Sequence, residues 1–176
     1  MKAAPLVFID EFGATTTMQR TRGRGLRGQR AVGYVPHGHW KLLSTVAALT
    51  VRGIVTAMSF DGATDTPTFV SFVEHFLTPV LRPGQVVMLD NLAPHKSSRV
   101  EALIAAAGAR VLYLPPYSPD YNPIENAISK MKTVLRREAR WDINGLYESL
   151  GHAIGALTPT DAQYFLRHCG YLAMNE

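Results

Sequence analysis

The sequence predicts an α/β domain: a five-stranded mixed sheet in the order 3-2-1-4-5, with helices on both faces. Three observations carry that reading. Leu6-Val7-Phe8-Ile9 and Val86-Val87-Met88-Leu89 are continuous apolar runs of strand length, each closed by an aspartate, Asp10 or Asp90, as in strands buried on both faces. Two β-rich runs, Trp40 to Thr50 and Ile54 to Phe60, meet at Val51-Arg52-Gly53, so a hairpin is expected there. From Pro67 onward, segments of helical period alternate with strand-like runs, the pattern of crossover units. A meander followed by two right-handed crossovers leaves the first strand in the middle, with the Asp90 strand parallel beside it.

In chain order, the first strand gives way at Met18 to Gly33 to a loop in which Arg20, Arg22, Arg24, Arg27 and Arg30 interleave with Gly23, Gly25 and Gly28, with no acid in the span. Such a loop attracts phosphates, and its glycines let the backbone approach them; a merely solvated loop is the bland alternative. His37-Gly38-His39 precedes the hairpin, but no cysteine or further close histidine completes a zinc set, so the pair reads as structural. Pro67 opens a helix whose Phe69, Phe72, Val73, Phe76, Leu77, Val80 and Leu81 recur at core-facing spacing. The Asp90 strand is bounded by Pro83-Gly84 and Pro94, and Ser97 or Ser98 caps a helix with Val100, Leu103, Ile104 and Ala107 inward, ended by Gly108. Val111-Leu112-Tyr113-Leu114 is the fifth strand, stopped by Pro115-Pro116. Asn122 suits an N-cap and Pro123 the first helical position, ahead of an apolar stripe of Ile124, Ile128, Met131 and Leu135. Leu146, Leu150, Ala153, Ile154 and Leu157 mark another helix, and a short one follows Pro159 with Tyr164, Phe165 and Cys169 packing back.

The 176 residues fit a single domain, 1–176, and 47% hydrophobic with 18% charged residues is ordinary globular composition. A net charge of +4 permits an anionic partner without demanding one. One cysteine, Cys169, leaves no disulfide framework or cysteine-rich zinc site and points to a reducing compartment. The first apolar run is too short for a signal peptide, and no stretch reaches the ~18 apolar residues of a membrane span. A soluble, cytoplasmic protein with no membrane partner is expected.

The chemistry lies where the two strand-ending acids meet the helix after Asn122. Adjacent strands are ~4.8 Å apart, so Asp10 and Asp90 are expected side by side at the carboxyl edge, where open α/β sheets bind ligands. Two anions that close repel unless a cation joins them, and oxygen-only ligands suit Mg2+ or Mn2+. Glu125 falls in the first helical turn and, at ~100° per residue, on one stripe with Ser129, Lys132 and Arg136, so that the acid opens a track of cations. A Glu three residues after an Asn cap also suits a capping box, and an Asp ending a strand suits a turn. The set of three, delivered to one edge, is what points to a two-metal site.

Ile9-Asp10-Glu11, Arg27-Gly28-Gln29-Arg30, His37-Gly38-His39-Trp40-Lys41, Asp90-Asn91 with His95-Lys96, and Tyr117-Ser118-Pro119-Asp120-Tyr121-Asn122-Pro123-Ile124-Glu125 resemble the catalytic domain of bacterial transposases of the insertion sequence 630 family, relatives of the mariner transposases. The resemblance runs from about Phe8 to about Tyr171, and the 34 residues between Asp90 and Glu125 match the family's spacing. It implies a ribonuclease H-like fold in which Asp10, Asp90 and Glu125 form a DDE triad, both catalytic and metal-binding, around two Mg2+ or Mn2+ ions. The implied activity is DNA cleavage and strand transfer in cut-and-paste transposition, with the element's ends and target DNA as partners and a homo-oligomer as the active complex. Arg20, Arg22, Arg24, Arg27, Arg30, Lys132 and Arg136 would hold DNA phosphates, while Asn91 and His95 would steady the acids from behind.

Family members usually carry an amino-terminal helix-turn-helix region, whereas the first catalytic strand here begins about five residues after Met1. The expectation is that this region is absent from the chain, being separately encoded or lost. A ribonuclease H-like nuclease or junction resolvase, and an inactive DNA-binding transposase remnant, are the alternative readings.

Overall fold

The computed structural model describes residues 5–35, 37–116 and 118–171; the expected features at Met1 to Ala4 and at Tyr117, and the side chain of Pro94, lie outside the described residues. Five strands, β1 (Leu6–Thr15), β2 (Leu42–Thr50), β3 (Gly53–Asp61), β4 (Val86–Leu89) and β5 (Arg110–Tyr113), form one sheet in the order β3-β2-β1-β4-β5. β2 pairs antiparallel with β1 and β3, while β4 pairs parallel with β1 and β5. This is the expected ribonuclease H-like arrangement. The helices are α1 (Thr66–Phe72), α2 (Ser98–Ala106), α3 (Pro123–Glu138), α4 (Ile143–Gly155) and α5 (Pro159–His168). Among the described residues no helix is long and apolar enough to cross a membrane.

Side chains alternate across a sheet, and that alternation sorts the core into two layers. Phe8, Phe12 and Ala14 of β1 pack with Val86 and Met88 of β4 beneath α3, α4 and α5. Val7 and Ile9 pack with Val87 and Leu89 beneath α1 and α2. Asp10, two residues after Phe8, therefore faces the α3 layer, whereas Glu11 faces the other.

β1 does not stop at Asp10 as its apolar run suggested. Parallel pairing with β4 ends at Phe8 opposite Met88, but antiparallel pairing with β2 continues to Thr15 opposite Leu42. Beyond the acid, buried Phe12 and Ala14 alternate with less buried Glu11, Gly13 and Thr15, the period of a strand covered on one face only. Asp10 thus springs from mid-strand, opposite Ala47 of β2, on a backbone held by the sheet ladder.

The segment after Pro67 also departs from expectation. α1 passes into a π-helical turn at Val73–Leu77 and a 3-10 turn at Thr78–Val80. Pro79 has no N–H to donate, and the Thr78 hydroxyl donates to the Glu74 carbonyl at 2.8 Å. The altered winding leaves Phe76 39% and Val80 42% exposed, although their spacing predicts core positions. In α5, Ala162 and Leu166 are the buried residues, and Tyr164 points outward because it lies between them on the opposite face of the turn.

α3 positions the site. Ile124, Ile128, Met131 and Leu135 are buried as expected, each worth roughly 1.5–3 kcal/mol when fully removed from water. Their anchorage fixes the rotation of the helix, and with it the direction of Glu125.

Candidate active site

Asp10 is 8% exposed. Its Oδ1 accepts from the Glu11 backbone N–H at 2.7 Å, and its Oδ2 accepts from Asn122 Nδ2 at 2.9 Å. Burial pushes its pKa from 3.8 up to about 7, against the pull of the Glu11 N–H, and the carboxylates of Glu125 and Asp90 push it further in the same direction. Asp10, on the α3 side of the sheet, thus feels the charge of both other acids expected to act with it. Among the described residues, however, no three His, Cys, Asp or Glu side chains are drawn together as a closed ligand set.

The acids are held by neighbours. Asp90 follows β4 directly, and its Oδ1 accepts both the Leu92 N–H, at 3.0 Å, and a close hydrogen bond from His95 Nδ1. Burial works to raise the Asp90 pKa, but these bonds and the charges of His95 and Lys96 prevail, and the net shift is downward. His95 is wholly buried, with its ring 4.2 Å from that of Phe69. Its Nε2 reaches Glu11 Oε1 at 3.2 Å. Burial alone would favour neutral imidazole, yet hydrogen bonds to Asp90 and Glu11 raise the His95 pKa to about 9. At neutral pH the ring is therefore an imidazolium donating from both nitrogens, clamped between an acid of β1 and the acid that follows β4.

Three placements differ from the sequence reading. Asn122 occupies the N-cap position of α3 but makes no side-chain cap; its amide is spent on Asp10 instead. Its Oδ1, on the same carboxamide that binds Asp10, is buried without a hydrogen-bond partner among the described residues. Asn91 does not contact the acids: its Nδ2 donates to the Leu114 carbonyl, tying the end of β4 to the chain leaving β5. Glu125 is exposed and makes no side-chain hydrogen bond among the described residues, so the capping-box reading of it does not apply.

Glu11 and Asn122 are the contributors that sequence reasoning missed. Glu11 was visible only as a neighbour of Asp10, because its partner His95 lies 84 positions away. Asn122 was read through its local capping role, which is the commoner use of that residue.

The basic residues divide into three groups. Lys132 lies with its Nζ 5.9 Å from the ring centroid of Phe12, two residues beyond Asp10 on the same face of β1. Arg20, Arg22 and Arg24 line a cleft with Arg136, whereas Arg27 sits at an outlying turn closed by Gln29 N–H donating to the Leu26 carbonyl at 2.9 Å. Arg30 is exposed beside that turn. The glycines serve the loop itself: a Cβ on Gly23 would stand 3.2 Å from that of Ala31, where the two arms of the loop meet, and Gly28 adopts φ +84° in the turn. His37 and His39 are exposed in the same connection. A separate cavity of about 700 Å³ lies at the opposite end of the sheet, lined by Leu6, Gln85 and mostly apolar side chains, away from every acid named above.

Comparison with known proteins accords with this geometry. A family model described as DDE superfamily endonuclease matches residues 5–144. The pre-cleavage Mos1 transpososome superposes with a TM-score of 0.78 at 15% identity, over 95% of this chain and 53% of that one. The Mos1 mariner paired-end complex with Mn gives 0.77 at 17%, over 95% and 53%, and the catalytic domain of Mos1 mariner transposase gives 0.64 at 13%, over 96% and 78%. The chain thus spans about half the length of the first two. No curated protein matches it in sequence. At these identities the structures speak for the fold, and the family match covers most of the chain, including both aspartates and Glu125. The chain belongs to the DDE superfamily endonuclease family.

Proposed function

We propose that this chain is a transposase catalytic domain that cuts DNA at the ends of a mobile element and joins them to target DNA, with Asp10, Asp90 and Glu125 as its metal-binding acids. The observation that carries the reading is Asp10: a carboxyl whose proton affinity is raised first by burial and then by two further acids is costly as an anion and becomes favourable when a cation offsets the desolvation and the repulsion. The donor chemistry fits a hard divalent ion, since the candidates are three carboxylates and the Asn122 Oδ1, which has no partner among the described residues, all oxygen. Structures of Mos1 complexes with Mg and with Mn belong to the same fold, and we infer the same preference here, with two ions. When bound, such ions lower the cost of charge at the attacking and leaving oxygens of in-line displacement at phosphorus.

The chain's own residues supply position and charge. Asn122 holds Asp10, and the Glu11–His95 pair holds Asp90, so both carboxylates are oriented before substrate arrives. Glu125, presented on the rigid first turn of α3, approaches from the helix layer. Lys132 lies further along the same stripe, where it would neutralise a phosphate next to the scissile one. In the hydrolytic step water forms a bond to phosphorus and the 3′ oxygen leaves; in the joining step that 3′ hydroxyl attacks a target phosphodiester and displaces the next 3′ oxygen. DNA ends and target are the proposed partners, in a homo-oligomeric complex.

The test is nicking of supercoiled plasmid in Mn2+ by the wild type, Asp90→Asn and Glu125→Gln. Both variants should lose cleavage while retaining DNA binding. Undiminished cutting by either would remove the triad assignment. Cutting without preference for any terminal repeat would favour a general nuclease, and binding without cutting by the wild type would mark an inactive remnant.

A further inference from the structure

The long connection between β1 and β2 folds back against the far end of α3. Residues 20–24 and 31–34 on one side, and Arg136, Arg137 and Trp141 on the other, enclose a cleft of about 640 Å³. α3 ends at Ala139, whose left-handed backbone (φ 48°) stops the helix and turns the chain, so Trp141 comes back beside the arginines. Five arginines, Arg20, Arg22, Arg24, Arg136 and Arg137, line it, and none of the described lining residues is acidic. Two aromatic rings stand among them in solvent, Trp141 56% and Tyr34 85% exposed.

The two components ask for different things. Clustered arginines with no counter-charge repel one another and are relieved by phosphates, which either duplex or single-stranded DNA supplies. Exposed indole and phenol rings gain nothing from a duplex backbone, whose base faces are hidden in the stack. They gain from bases whose faces are free, because an aromatic ring in a cationic groove is a stacking platform for unpaired nucleotides. Location agrees with this. Arg136 lies eleven residues beyond Glu125 on one helix, or roughly 16 Å along its axis at 1.5 Å per residue. At ~3.4 Å per phosphate of a stacked strand, that is up to about five nucleotides.

We propose that this cleft binds an unpaired DNA strand a few nucleotides from the scissile phosphate, its phosphates on the arginines and a base stacked on Trp141. The inference rests on the DNA-cutting reading and names the form of DNA this part of the surface takes. It is tested without cleavage, in EDTA, by fluorescence anisotropy of the full chain with a labelled eight-nucleotide oligothymidylate, an abasic deoxyribose-phosphate strand of the same length, and a blunt duplex.

The wild type should bind oligothymidylate more tightly than the abasic strand. Trp141→Ala should weaken oligothymidylate binding about 5- to 150-fold, leave the abasic strand and the duplex within about two-fold, and leave the salt dependence of binding unchanged. Trp141→Phe should restore most of the loss, which a merely structural role for the indole would not do selectively for one ligand. Arg20→Gln with Arg22→Gln should instead weaken all three ligands and flatten the salt slope. The proposal is overturned if oligothymidylate and the abasic strand bind alike, if Trp141→Ala leaves oligothymidylate untouched or weakens all ligands equally, or if polyglutamate competes as well as oligothymidylate. A wild-type chain that keeps the base preference but never cuts plasmid would overturn the catalytic reading while leaving this one standing.

Discussion

Replacing Asp10 by asparagine should make the metal-free protein more stable, although it removes an acid central to the proposed chemistry. The Asp10 pKa rises from 3.8 to about 7 on folding. The folded state therefore holds that proton where the unfolded state has released it, so stability falls as pH rises between those values and the whole cost is present above about pH 7. At ~1.4 kcal/mol per pH unit, the cost at pH 8 is up to about 4 kcal/mol. Asp10→Asn removes the charge and keeps the shape. The new amide needs an acceptor where Asn122 Nδ2 now donates, and a flip of the Asn122 carboxamide supplies its buried, unpartnered Oδ1. In EDTA at pH 8 the variant should melt above the wild type by roughly 4–16 °C, taking ~2–4 kcal/mol and ~2–4 °C per kcal/mol for a chain of this size. Near pH 3.5 the two should converge, because Asp10 is then protonated in both states. Adding Mn2+ at pH 8 should raise the melting temperature of the wild type more than that of the variant. An Asp10→Asn protein that melts at or below the wild type at pH 8, with the same gap at pH 3.5, would refute the claim that a buried, mutually repelling acid sits there.

Asn122→Ala should leave the fold intact but raise the Mn2+ concentration for half-maximal plasmid nicking by about 10- to 100-fold, the usual effect of removing a group that orients a metal-binding acid; an unchanged Mn2+ titration would show that Asn122 does not position Asp10. Asp161 caps α5 through Thr158, and its carboxylate accepts from Lys130 Nζ at 2.6 Å. These bonds hold its pKa near 2, below the ordinary 3.8, so its contribution is complete above about pH 4 and is lost as pH falls towards 2. Asp161→Asn should therefore cost about 0.5–2 kcal/mol at pH 7, the worth of a helix cap, and progressively less in acid melts below pH 4. A cost that does not change with pH would rule out the charged cap.

Legibility from sequence followed the range of the interaction. The sheet order and the acid-bearing elements were readable because buried parallel strands are continuous apolar runs and α3 has a strong helical stripe; both patterns are local. The extension of β1 past Asp10 was not, because its alternation spans only a few residues and needs β2 as a partner. The π-helical turn after Phe72 breaks the period that was being read, so Phe76 and Val80 were assigned to a core they do not enter. Asn122 misled because capping is its usual local role, whereas here the acid of a strand 112 residues away claims its amide. Glu11 and His95 form a pair that no spacing rule contains. The arginine loop was legible as charge but not as shape: that Arg20, Arg22 and Arg24 face the end of α3, while Arg27 does not, depends on how the loop's two arms meet at Gly23 and Ala31.

The parallel pairing of β1 with β4 joins residues about eighty positions apart, and closing so long a loop is slow compared with forming a hairpin or helix. During synthesis Asp10 emerges before Asp90, and Asn122 and Glu125 follow only with α3, the first of three helices that cover Phe8 and Phe12. Glu125 and the Asn122 amide that holds Asp10 are missing before then, and a cation site that does not exist in the unfolded chain gains its affinity from folding. Stalled fragments of increasing length should acquire Mn2+-dependent protease resistance only after α3 has emerged and in full once α4 and α5 cover the same core layer, with resistance in fragments that end before Pro123 counting against this order. The topology thereby sets an order of assembly: Glu125, the last of the three proposed metal-binding acids to be made, arrives on a helix whose buried face is itself part of the core.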